Sequence, residues 1–162
     1  MGALMEDRSG IDKMILEYVA DAIIFANRSG TIVRWNPAST VLFGYPQEEA
    51  IGASLDLIIP KRLRAPHWKA FNAAIVNGTT KLSGRPTLTR AQHKDRRKLY
   101  VEMTFAIVRA GIAGNAIGSV AVARDVTERV EKSGAILRKG IALATLWIDW
   151  LREPVSPSLC GR

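Results

Sequence analysis

The chain has 162 residues, 48% hydrophobic and 23% charged, which is the composition of one globular domain with flanking pieces and excludes a disordered tail protein. A single cysteine, Cys160, excludes an intrachain disulfide and a cysteine-built zinc site, and two histidines, His67 and His93, leave little for a metal cluster or a catalytic triad. The net charge of +8 gathers in Lys61, Arg62, Arg64 and Lys69, then in Arg90, Lys94, Arg96, Arg97 and Lys98. Without a recognition helix or an aromatic stacking motif, this pattern reads as a solvated basic face and not as a surface for direct nucleic-acid binding. No N-terminal stretch has the make-up of a secretory signal, and the longest apolar run, 141–151, is broken by Asp149. That is well short of the ~20 residues of a membrane span, so a soluble, cytoplasmic protein is expected.

Ile11, Met14, Ile15, Tyr18 and Val19 recur at spacings of three and four, which predicts an amphipathic helix over 9–19 with Ser9 as N-cap. Two extended runs, 22–26 and 31–35, flank the polar turn Asn27-Arg28-Ser29-Gly30 and predict a hairpin. Asn36-Pro37 then stops the strand and starts a helix, Asn as hydrogen-bonding cap and Pro with its pre-set φ. Short helical pieces over 38–43, 46–52 and 54–59 end at Gly44, Gly52 and Pro60, a succession that wraps a pocket instead of building a bundle. A longer helix is predicted over 61–77, where Leu63, Trp68, Phe71, Ala74 and Ile75 share a face.

From Thr79 to Asp125 the apolar period falls to two and predicts strands over about 80–92, 97–109 and 115–125. A helix begins near Asp125, with Glu128 three residues on as in a capping box. Residues 134–151 are expected as a further helix, and 152–162, with Pro154 and Pro157, as a frayed end. The sum is an α+β fold: a five-stranded antiparallel sheet with short helices and one longer helix packed on one face. The expected organisation is an N-terminal amphipathic helix in 1–20, one domain over 21–129, and an exit helix and tail over 130–162. Terminal helices or a second copy of the chain would cover the other sheet face.

In order along the chain stand Asp21-Ala22-Ile23-Ile24-Phe25, Gly30-Thr31-Ile32-Val33-Arg34-Trp35-Asn36-Pro37-Ala38, Leu42-Phe43-Gly44-Tyr45, Ile51-Gly52 and Ile59-Pro60. His93-Lys94-Asp95, Gly118-Ser119-Val120 and Arg124-Asp125-Val126-Thr127-Glu128-Arg129 follow. Together, over about 12–130, they resemble a PAS domain of a bacterial-type signalling protein. The resemblance implies a sensory module and not an enzyme. It implies a cleft between sheet and long helix that holds a cofactor or small ligand, or a packed core. It further implies a readout through the exit helix to an effector such as a histidine kinase or a transcription regulator. Asp125, Thr127 and Arg129 are the relay residues so implied; as plain caps, Asp125 and Thr127 would be worth about 1 kcal/mol.

Two departures stand out. The family usually turns on Lys-Asp-Gly where this chain has Lys94-Asp95-Arg96; arginine at positive φ would cost about 1–3 kcal/mol, so a different turn type is expected. Beyond Arg129, Ser133-Gly134 interrupts, and 136–151 is apolar nearly all round with Trp147 and Trp150, so the sequence reads as a sensor without its output domain.

An adduct-forming flavin needs a cysteine on the helical stretch, and 53–77 has none. Haem is the sharper candidate: Pro60-Lys61-Arg62-Leu63-Arg64-Ala65-Pro66-His67 resembles the stretch that carries the iron-binding histidine in oxygen-sensing members. His67 would be the axial, metal-binding residue, with Arg85 or Met103 on the distal side. A small metabolite held by Arg85 or Asn72 is the other reading. In either case Phe25, Trp35, Phe43, Phe71, Met103 and Phe105 are lining or core residues, and His93 is expected in solvent. A ligand-free dimerisation module remains the reading from another class, with 9–19 and 136–151 as the segments that pair two copies.

Overall fold

The computed structural model describes residues 3–82, 84–111 and 114–133; the helix and tail expected over 134–162 lie outside them. The N-terminal helix α1 runs over Ala3–Tyr18, further toward the N-terminus than its apolar stripe alone predicts. The hairpin forms as β1 (Ala22–Asn27) and β2 (Ile32–Trp35), closed by Asn27, whose carboxamide oxygen accepts from the Ser29 and Thr31 amides at 3.0 Å each.

Asn36 makes the next corner. Its Oδ1 accepts from the Ile23 amide (2.8 Å), the Ser39 amide (3.0 Å) and the Ser39 hydroxyl (2.7 Å), while Nδ2 donates to the Asp21 carbonyl (3.0 Å). One buried amide side chain thus caps α2 (Pro37–Phe43) and ties that helix to the start of β1. The helix closes on Gly44 at φ 79°, and a β-carbon there would collide with the His93 ring. His93 is therefore not in solvent as expected: its side chain is only 15% exposed, packed on Gly44 with Nδ1 2.9 Å from Asp95.

After α3 (Gln47–Ala50) come two single 3-10 turns, Leu55–Leu57 and Lys61–Leu63, and the long helix α4 (Arg64–Asn77). Arg109 donates to the Gly78 and Asn77 carbonyls and so neutralises the C-terminal end of α4. The third strand, β3, is Thr87–Gln92, seven residues shorter at its start than predicted. The Arg85 amide bonds the Leu82 carbonyl (2.9 Å) in a turn, and Pro86 has no N–H for a ladder.

The remaining strands are β4 (Lys98–Arg109) and β5 (Ala116–Asp125), and α5 (Thr127–Lys132) follows. The strand order is β2-β1-β5-β4-β3, antiparallel throughout. The β3–β4 turn keeps left-handed geometry at Arg96, φ 69°, so the expectation of another turn type is corrected. Two bonds hold it there: Arg96 amide to His93 carbonyl (2.8 Å) and Arg97 amide to the Asp95 carboxylate (2.9 Å).

The inner face of the sheet carries Ile24, Ile32, Leu99 and Val101, all fully buried with Phe43, and burial of each such side chain stabilises the fold by roughly 1.5–3 kcal/mol. Among the described residues, no helix is long and apolar enough to cross a membrane.

Candidate functional site

The inner positions of the two central strands are unusually small. Ala26 on β1 faces Ser119 on β5, Ile24 faces Ala121, and on β4 Phe105 pairs with Ala121. Ala91 on β3 adds a fourth short side chain. A helix cannot close down onto such a surface, because the longer residues around it hold the layers apart. The result is a cavity of about 300 Å3 between the sheet and residues 55–71, walled almost entirely by carbon. This alanine-and-serine patch is the feature the sequence reading missed. Its signal was present as small residues at every second position of strands otherwise filled with Val, Ile and Phe.

His67, on the first full turn of α4, lines the cavity along with Phe71, Met103 and Phe105. Its ring stands edge-on to Trp68 (centroids 5.2 Å apart, 77°) and is stacked near Phe71 (6.0 Å, 29°). Burial among these apolar groups lowers its pKa from 6.5 to about 4, against the opposing pull of the Asp56 carboxylate. At neutral pH it is an uncharged imidazole, the form that binds a metal or accepts a proton.

The other sequence-predicted residues fall elsewhere. Trp35 and Phe43 are buried on the β2–α2 side, rings 5.4 Å apart, with the indole N–H shared between Thr40 Oγ1 and the Tyr45 carbonyl at 3.1 Å each. Arg85 is exposed in the turn before β3, and Asn72 is exposed on α4. Phe25 takes the outward register position between Ile24 and Ala26. Of the arginines on the cavity wall, Arg90 turns its guanidinium outward over Tyr100, 5.3 Å from the ring centroid, and Arg62 is exposed at the rim.

The exit joint lies on the opposite face of β4 from the cavity. Tyr100 donates its amide to Thr127 Oγ1 (3.0 Å) and accepts from the Val126 amide (2.9 Å). The Thr127 amide donates to Asp125 Oδ1 (2.8 Å), and Arg129 pairs with Glu102 at 3.1 Å. Val126 and Val130 are buried beneath α5. The three residues Asp125, Thr127 and Arg129 thus clamp α5 to the strand whose other face bears Met103 and Phe105. Beside this joint, Arg124 grips Asp21 with two bonds of 2.8 Å, joining the beginning of β1 to the end of β5.

A family model described as a PAS domain matches residues 20–128. The oxygen sensor protein DosP of Escherichia coli K12 is 27% identical over 146 residues, 90% of this chain and 17% of that protein. An uncharacterized protein of Azorhizobium caulinodans is 29% identical over 127 residues, 78% of this chain and 17% of that one. The chain therefore spans about a sixth of the length of either curated relative. Among solved structures, the PAS domain of a Colwellia psychrerythraea protein superposes with a TM-score of 0.63 at 25% identity, covering 77% of this chain and 98% of that one.

Proposed function

The chain belongs to the PAS domain family of sensory modules, and on that footing we propose that it binds a small molecule or cofactor in the cavity beneath α4 and relays the change through β4 and α5 to an effector. The observation that carries this reading is the hollow of about 300 Å3 above Ala26, Ala91, Ser119 and Ala121, because a ligand-free module gains stability by filling its core. Relay follows from the position of β4: Met103 and Phe105 touch the ligand space, and Tyr100 and Glu102 hold α5 through Thr127 and Arg129. The work of the chain is sensing without turnover. The output, from a histidine kinase or transcription regulator for example, belongs to the effector in the cytoplasm, with no direct nucleic-acid or membrane contact by this module.

Haem suits the donor set. His67 is a half-buried, neutral imidazole on the wall of an apolar space, and Arg62 at the rim would provide a cation for a propionate. The likeness to a relative named as an oxygen sensor points the same way. When bound, haem supplies an iron that takes up a diatomic gas. The protein's own part would be to hold that iron through the imidazole of His67, to exclude water with Phe71, Met103 and Phe105, and to carry the change into β4. A second reading rests on size: about 300 Å3 is the small end of the ligand-cavity range, so a compact metabolite seats there without α4 parting from the sheet. Adduct-forming flavin is not proposed, since 53–77 holds no cysteine.

Homodimerisation belongs to the same proposal. Ile11, Met14 and Ile15 of α1 are 44%, 52% and 57% exposed, an apolar stripe that a second copy would cover. Removing residues 1–20 should then halve the sedimenting mass; an unchanged mass contradicts it.

The test of the ligand is the absorption spectrum of the purified chain supplied with hemin, together with the mass of anything that co-purifies. A Soret band lost in His67→Ala supports haem on His67, and a band retained in that variant removes His67 as ligand. A colourless protein that carries a small molecule favours the compact metabolite. A chain that binds neither returns the reading to a ligand-free dimerisation module.

A further inference from the structure

Eight of the seventeen residues around the cavity come from one segment, 55–71, so access to the space depends on how that segment is fastened. Its first half consists of two 3-10 turns of three residues each, tied to the sheet by two backbone bonds, Leu55 amide to Gly30 carbonyl (3.0 Å) and Gln92 amide to Ile58 carbonyl (2.9 Å). Arg64 and Trp68, one helical turn apart on α4, both reach Asp56. The Arg64 guanidinium donates to the Asp56 carbonyl (2.9 Å) and lies 3.8 Å from its carboxylate, and the Trp68 indole N–H donates to Oδ1 (2.8 Å). The Trp68 ring is seated on Gly30, where a β-carbon would collide with it. His67, next along the helix, faces the cavity.

We infer that Asp56 is the latch of the cavity: by holding Trp68 and Arg64 it fastens the turn segment to α4, closes the mouth beside Arg62 and fixes the direction in which His67 points. The inference rests on the reading of the cavity as a ligand site. The fastening is suited to release. The Asp56 and Arg64 side chains are 35% and 40% exposed, so water competes for both partners, and the latch opens without unfolding the sheet. Gly30 serves the same arrangement, since its lack of a side chain is what lets the indole lie flat enough to reach Asp56.

The experiment compares wild type with Asp56→Ala, which removes the acceptor of the indole N–H and the carboxylate beside Arg64, and with Trp68→Phe, which removes the donor together with the part of the ring seated on Gly30. Amide hydrogen exchange of the full chain is followed at Leu57, Ile58 and Leu63, whose amides bond within the turns, and at β1 and β5 as reference. The latch predicts roughly tenfold faster exchange in the turns of both variants, the factor that corresponds to about 1.4 kcal/mol, with the strands unchanged. Hemin association, measured by stopped flow, should quicken by a similar factor, with a displaced Soret maximum as His67 loses its aim. Unchanged exchange in the turns overturns the latch, as does an equal rise across the sheet. If no variant takes up hemin, the haem reading fails on its own, and the exchange ratio between turns and strands still decides the latch.

Discussion

Two polar side chains, the buried Asn36 and the half-buried His67, sit under opposite conditions. Asn36 is surrounded by complementary groups: it accepts three hydrogen bonds and donates one, all between 2.7 and 3.0 Å, two of them capping α2 at Ser39 and two reaching the start of β1 at Asp21 and Ile23. His67 is enclosed by aromatic rings and by an apolar cavity, and the cost of that setting appears as a pKa lowered to about 4. A polar residue that is saturated with local partners holds a fold together. One packed among aromatic rings on the wall of an apolar cavity is kept there at the expense of stability, as binding groups are.

The largest effect in that comparison should come from Asn36→Ala. It removes a helix cap and takes their side-chain partner from the Ile23 amide and the Asp21 carbonyl, a loss of about 3 kcal/mol. Thermal unfolding should shift down by on the order of 10 °C. An unchanged midpoint would remove the structural role assigned to the corner.

The next effect is on pH dependence and belongs to His67. Its folded pKa lies below its unfolded value, so its neutral form stabilises fully above pH 6.5, and stability is lost as pH falls from 6.5 to about 4. Over that window the loss should reach about 2–3 kcal/mol in denaturant titrations. It should vanish in His67→Phe, which also fills part of the cavity and leaves stability at pH 8 equal or raised. A pH profile identical in the two proteins would contradict the burial argument.

Smaller and opposite in sign is Arg96→Gly. It relieves a left-handed residue and should stabilise by about 1 kcal/mol in the same titration. The smallest change is expected for Arg124→Met. The Arg124 guanidinium holds the Asp21 carboxyl below its usual range, so the contribution exists above pH 3.8 and disappears as Asp21 protonates below it. The midpoints of variant and wild type should therefore differ slightly at pH 7 and converge as the pH falls through and below 3.8.

Periodicity and punctuation made the architecture readable. The alternation of Leu99, Val101, Met103 and Phe105 placed β4, and Asn36-Pro37 placed the corner. Helical spacing put Phe71 on the core side, and the resemblance of 60–67 to oxygen-sensing members singled out His67. Less legible were features set by what lies across the layer. Trp35 and Phe43 are as aromatic as Phe71, yet they fill the β2–α2 side, where the indole N–H of Trp35 donates to Thr40 Oγ1 and the Tyr45 carbonyl and the Phe43 ring packs against it. Arg85 reads as strand by its neighbours, but the Leu82 turn and Pro86 delay β3 and leave it outside. His93 reads as turn and is covered only because Gly44 offers it a flat seat. The cavity itself is a deficit of side-chain volume, and a pattern of hydrophobic against polar residues does not register the difference between Ala121 and Val122.

The claim that most needs testing is that the state of the cavity reaches the exit helix through β4. Amide exchange at Tyr100, Val126 and Val130, measured with and without hemin, addresses it directly. The account predicts altered protection at these three positions on hemin binding, abolished in His67→Ala. Identical protection in loaded and unloaded protein, with hemin demonstrably bound, would contradict it.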